Sequence, residues 1–187
     1  MSRTWVNDPM EVSDMDEIEV KKGDKTPFSY EDWLKWKFIW RDRRLNGKVV
    51  LKKEEAFWEQ CRQAFHGYYM NPGNWAELAV PDWMVFIHEV RSKGGKHVHQ
   101  GGICLFVLSG KGYSIVDGVK YDWEKGDCII LPLTPGGVEH QHFNENPDGP
   151  SRWMCLDYVP YHQLAGAFET EQKEVHPDWK GPKGGAK

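Results

Sequence analysis

GGKHVHQGGICLFVLSG, residues 94–110, decides how this chain folds. His97 and His99 stand two positions apart at the entry to ICLFVL, a run of β-branched, aliphatic and aromatic residues bounded by glycines, which reads as a strand. Side chains two apart on a strand point to the same side, so the two imidazoles share a face. Residues 126–144, GDCIILPLTPGGVEHQHFN, repeat the arrangement: a strand-like CIIL, a proline and glycines, then His140 and His142. If both pairs face one interior, two separate segments deliver four imidazoles to it. Neutral imidazole is the commonest metal ligand among side chains, and three of them suit Fe(II), Mn(II), Ni(II) or Zn(II) without a carboxylate.

The runs WMVFIHEV, YSIV, VKYDW and WMCLDYV read as further strands separated by turn residues. Asp117 and Gly118 between YSIV and VKYDW mark a tight hairpin. The spacing suits a closed barrel or jelly roll over residues 80–165. Upstream, Ser29 and Asp32 form a capping-box pattern, and Tyr30, Trp33, Trp36 and Trp40 recur at helical spacing until Asn46 and Gly47. A second helix is expected from about Lys53, with Phe57, Cys61, Phe65 and Tyr68 on one face, ending at Asn71, Pro72 and Gly73. Residues 29–75 are thus expected to be a helical segment packed outside the barrel. Residues 1–28 form an acidic arm, and residues 166–187, rich in Gly, Pro and Lys, a flexible tail.

A chain of 187 residues, 40% hydrophobic and 28% charged, is sized for one core with some extra structure. Its 28 acidic and 24 basic residues are dispersed, for a net charge of −4, so no basic patch points to nucleic acid or a membrane surface. The four cysteines lie far apart and form no CxxC pair, which argues against a zinc ribbon and fits reduced thiols. With no apolar leader and no stretch near the ~20 residues of a membrane span, the expected setting is the cytoplasm. The expected partners are a small-molecule substrate and O2, and a second copy of the chain paired through open sheet edges as a homodimer.

Residues 94–110 resemble the first motif of the cupin superfamily, and residues 126–144 resemble its second, with the GD opening, the proline, the histidine and an asparagine four residues later. The resemblance implies an all-β cupin double-stranded β-helix, a jelly-roll barrel. It also implies a metal on His97, His99 and His140, and makes Asn144 a structural residue or a support for a ligand. The glutamate that many cupins place four or five residues after the first pair is replaced here by Ile103 and Cys104, so the implied shell is three histidines. Within cupins, GKGYSIVDGVKY and VEHQHFN are similar to the gentisate dioxygenase group, in which the position of His142 stays beside the metal without binding it.

A neutral shell leaves the ion its full charge and open positions, which favours an anionic chelating substrate beside dioxygen. The expected function is that of a non-haem Fe(II) dioxygenase cleaving a C–C bond of a hydroxy-aromatic or enolised diketone; Mn(II), Ni(II) and Zn(II) are the alternative ions. His142 is the candidate proton acceptor or hydrogen-bond donor, with packing as its other role. Arg91, which shares a strand face with Glu89, either pairs with a substrate carboxylate or is an exposed charge. Gln100 and Gln141 are placed to hold ligand imidazoles in one tautomer. Trp153 and Tyr158 line the pocket or pack the core. Cys104 opens a second enzyme reading, because thiol dioxygenases are three-histidine cupins in which a cysteine at this spacing can be crosslinked to a late-strand tyrosine, here Tyr158. A third reading is a non-enzymatic ligand-binding or sensor cupin.

Overall fold

Among the described residues from Phe57 onward strand is the dominant regular structure, because alternating apolar residues find cross-strand partners. The computed structural model describes residues 29–166 and 170–181. The expected acidic arm and, in the expected tail, residues 167–169 and 182–187 lie outside the described residues.

Two units divide the chain: residues 1–49 with 77–80, and residues 50–76 with 81–187. In the first, the expected helix forms over Tyr30–Asn46 (α1). The Ser29 hydroxyl accepts the Asp32 N–H at 3.1 Å, and the Asp32 carboxylate accepts the Ser29 N–H at 2.8 Å, a reciprocal cap. Its aromatic residues Tyr30, Trp33, Trp36 and Trp40 are exposed.

In the second unit the strands are Phe57–Gln60 (β1), Phe65–Met70 (β2), Trp83–Val90 (β3), His97–His99 (β4), Ile103–Ser109 (β5), Lys111–Val116 (β6), Val119–Glu124 (β7), Cys128–Leu131 (β8), Val138–Asn144 (β9), Ser151–Tyr158 (β10) and Glu171–Gln172 (β11). A short helix, Val159–Ala165 (α2), follows β10 directly. The strands make two antiparallel sheets, ordered β1-β2-β3-β10-β5-β8 and β11-β4-β9-β6-β7. Trp123 of the second sheet joins Val107, Ile129 and Trp153 of the first in one buried cluster, so the inner faces of the sheets close on a common core, as in a jelly roll. Asp117 and Gly118 form the expected tight turn between β6 and β7, both with positive φ (48° and 81°), the geometry that turn demands.

The second expected helix is not there. A single 3-10 turn at Lys53–Glu55 leads into the β1–β2 hairpin, which pairs with the edge of β3. Phe57, Cys61, Phe65 and Tyr68 do fall at helical intervals, but the stretch is rich in aromatic residues, and β3 presents a row of backbone groups that a neighbouring strand pairs with. The described part of the expected flexible tail is likewise fixed. β11 pairs with β4, Gln172 opposite His97, and the His176 N–H donates to the Arg62 carbonyl at 2.6 Å, leaving His176 buried. No helix among the described residues is long and apolar enough to cross a membrane.

Trp153 is fully buried at the centre of the inner face. Trp153→Ala is expected to cost about 3–5 kcal/mol by loss of apolar burial and the cavity left behind, read as a lower urea midpoint at unchanged slope.

Candidate metal centre

β4 and β9 are neighbours, and their register sets His97 directly opposite His140. His99 follows on the same face of β4, and the three rings converge, with centroids 4.2 Å (His97 to His140), 4.7 Å (His99 to His140) and 5.1 Å (His97 to His99) apart. One ligand nitrogen from each lies within 4.8 Å of the others, close enough to share one ion. The cluster holds no carboxylate or thiol among the described residues.

Backbone carbonyls decide which nitrogen faces the ion. His97 Nδ1–H donates to the Gly95 carbonyl at 3.0 Å, His99 Nδ1–H to the Gln100 carbonyl at 2.7 Å, and His140 Nδ1–H to the Val138 carbonyl at 3.1 Å. A carbonyl can only accept, so each neutral ring carries its proton on Nδ1 and keeps its Nε2 lone pair for a ligand role. Burial pushes all three below the usual histidine range, His97 to about 4, so the rings are in their metal-binding form at neutral pH. The donor set therefore fits a borderline divalent ion such as Fe(II) or Zn(II).

His142 shares the inward face of β9 and is buried. Its Nδ1 lies 2.6 Å from the Ser114 hydroxyl, which also accepts the Trp123 indole N–H at 2.9 Å. Ser114→Ala strands a buried indole N–H and an imidazole nitrogen, and is expected to cost about 1–3 kcal/mol in chemical unfolding.

Several side chains expected at the site lie elsewhere. The inward residues of β3 are Phe86 and His88, which line the cavity, so Glu89 and Arg91 fall on the opposite face. There Glu89 is buried between two arginines, with Arg91 Nε at 3.1 Å and Arg152 Nε at 2.8 Å and Nη2 at 2.7 Å, while Arg91 stays half-exposed over the Phe65 ring. Cys104 and Tyr158 are exposed and line a groove outside the barrel with Trp83 and Leu156, because Ile103 and Leu105 take the inward positions of β5. The Gln100 side chain ties β4 to the β8–β9 loop, donating to the Thr134 carbonyl at 2.8 Å, and its backbone carbonyl rather than its amide orients His99. Gln141 donates to the Gly94 carbonyl at 2.9 Å, holding the loop whose next residue receives His97. Asn144 latches loops, donating to the Arg91 and Gly149 carbonyls and accepting from Ser151. Trp153 is the one expected pocket residue that does line the cavity.

The sequence reading missed His66 and His88. His66 lies in the stretch whose spacing predicts a helix, and His88 is one position from the strand face that Glu89 and Arg91 share. The visible signal was His88 alternating with Phe86. The cavity has about 40 Å³ of free space, room for about three waters, walled by Phe86, Ile103, Leu105, Leu131 and Trp153 around the imidazoles.

Residues 84–157, less than half of the chain, match the cupin domain family. No curated protein is similar enough in sequence to count as a relative. Among solved structures, a variant of PAC13 from Streptomyces with uridine aligns at TM-score 0.50 and 12% identity, over 68% of this chain and 92% of that one. The plu4264 protein from Photorhabdus luminescens aligns at TM-score 0.50 and 18% identity, over 63% and 92%. Salicylate 1,2-dioxygenase from Pseudoaminobacter salicylatoxidans, in adducts with gentisate, aligns at TM-score 0.49 and 19% identity, over 74% and 36%. The first two establish a shared fold. The matched segment, the paired antiparallel sheets and the HxH strands agree on a jelly-roll barrel, of which residues 84–157 match the cupin domain family.

Proposed function

We propose that this chain is a non-haem Fe(II)-dependent dioxygenase that cleaves a C–C bond of a chelating hydroxy-aromatic or enolised diketone substrate. The observation that carries this reading is the all-imidazole donor set, one ligand nitrogen of each ring within 4.8 Å of the others and the Nε2 lone pairs left free by three backbone carbonyls. Fe(II) bound there would supply the uncompensated charge that holds a deprotonated oxygen chelate and the electrons that dioxygen requires. The apolar walls keep bulk water from that charge, which strengthens its hold on an anion.

His142 supplies a hydrogen-bond donor. Ser114 Oγ already accepts the Trp123 indole proton, and the only acceptor in reach of its own hydroxyl proton among the described residues is His142 Nδ1. The ring then carries its proton on Nε2 and offers an N–H, suited to an oxygen of substrate or O2. A thiol dioxygenase is less well supported, since Cys104 and Tyr158 lie outside the cavity.

The test is oxygen consumption by protein reconstituted anaerobically with Fe(II), screened against catechols, gentisate, salicylates and β-diketones. Turnover of one class with ring or chain cleavage is expected. Failure to retain a transition metal, or metal retention with no oxygen uptake across the screen, overturns the reading.

A further inference from the structure

Two buried histidines beyond the metal ligands form a wire that ends in the same cavity. β2 and β3 pair with His66 opposite His88. His66 Nε2 lies 2.9 Å from His88 Nδ1, and His66 Nδ1 lies 3.1 Å from the Tyr68 hydroxyl. Both rings are buried, at 3% and 5% exposure. The His88 ring lies flat on the Trp153 indole, with centroids 4.7 Å and planes 15° apart, and its Nε2 is buried without a hydrogen-bond partner. His88 lines the cavity beside His97, His99, His140 and His142.

The direction of the wire follows from its outer end. Glu59 stands opposite His66 on β1, and burial first, then the Cys61 thiol and the Glu59 carboxylate, push the Tyr68 hydroxyl above the usual tyrosine range, so it keeps its proton. A carboxylate only accepts, so a Tyr68 proton turned toward Glu59 leaves the phenol oxygen to accept His66 Nδ1–H, a nitrogen that Cys61 Sγ also approaches at 3.5 Å. His66 Nε2 is then a lone pair that accepts His88 Nδ1–H, and His88 Nε2 presents a lone pair to the cavity. Burial lowers His66 to about 3 and holds His88 well below the usual histidine range, so both rings rest neutral and pass a proton without storing it.

We propose that His88 Nε2 is the base that takes the hydroxyl proton of a substrate as it chelates the metal, and that His66 and Tyr68 carry that proton toward the surface. The proposal rests on the reading of an acidic chelating substrate given above. In the step, the substrate O–H breaks and His88 Nε2–H forms. His88 Nδ1–H passes to His66 Nε2, His66 Nδ1–H to the Tyr68 oxygen, and the Tyr68 proton to Glu59 and water. One proton leaves, and no imidazole ends up charged. His88 is the catalytic residue and His66 a positioning residue. His142 thus offers the cavity an N–H and His88 a lone pair.

The probe is 4-nitrocatechol, whose colour reports its ionisation, mixed with Zn(II)-loaded protein in a stopped-flow instrument. His88→Gln is expected to slow appearance of the ionised, bound probe about 100-fold, the low end for a general acid–base group, at unchanged zinc content. Tyr68→Phe, which changes nothing in the cavity, is expected to slow it less, in the same direction. Separately, nitrogen-15 spectra of the metal-free protein should show His88 protonated on Nδ1, with that preference weakened in Tyr68→Phe. Wild-type rates in both variants with zinc retained, or a wild-type His88 carrying its proton on Nε2, overturn the proposal. Failure of nitrocatechol to bind zinc-loaded protein overturns the substrate reading instead, and the nitrogen spectra then decide the wire alone.

Discussion

His140→Ala is expected to strip the protein of its transition metal while leaving the barrel folded. His140 is nearest to both other ligands, and its removal leaves only His97 and His99. Loss of a hydrogen-bond partner behind a ligand typically weakens metal binding about 10–100-fold, so loss of the ligand itself should exceed about 100-fold. Metal analysis after gel filtration should fall from near one equivalent to background, with the far-ultraviolet dichroism unchanged. Arg91→Ala is the control: its guanidinium lies outside the barrel against Glu89 and Phe65, so metal content and oxygen uptake should match the wild type. Equal metal content in His140→Ala and wild type would remove the centre assigned here.

The second large effect is acid lability of the metal-free protein. Burial holds His66 and His142 to about 3 and His97 to about 4, while in the unfolded chain each titrates near 6.5. Between these values the unfolded chain binds more protons than the folded one, so stability rises with pH across the window. The penalty is absent above pH 6.5 and grows as pH falls toward 4. At pH 5 each such ring costs about 2 kcal/mol, and several together approach the whole stability of a typical domain. Urea midpoints at pH 7, 6 and 5 should therefore fall steeply for the metal-free protein. Zn(II) should shift the fall to lower pH, because it binds the folded, deprotonated ligands. A midpoint unchanged between pH 7 and pH 5 would contradict the buried, neutral state of these rings.

What the sequence determined by itself was local. Two residues apart on a strand means one shared face, so His97 with His99 and His140 with His142 were legible as pairs, and the turn at Asp117 and Gly118 as a turn. The order of strands from Trp83 to Tyr158, the jelly-roll class and the histidine-only ligand set followed from those pieces and from the motif resemblance. Tertiary structure decided what depends on partners distant in the chain. Alternation says which residues share a face but not which face turns inward, and a change of one position moved the site from Glu89 and Arg91 to Phe86 and His88. The same rule put Cys104 outside the barrel and Ile103 inside it. The aromatic stretch from Phe57 to Tyr68 satisfied a helical period and a strand pattern alike, and the unpaired edge of β3 settled it as a hairpin. That pairing set His66 against His88, a contact between residues 22 positions apart that no local pattern encodes.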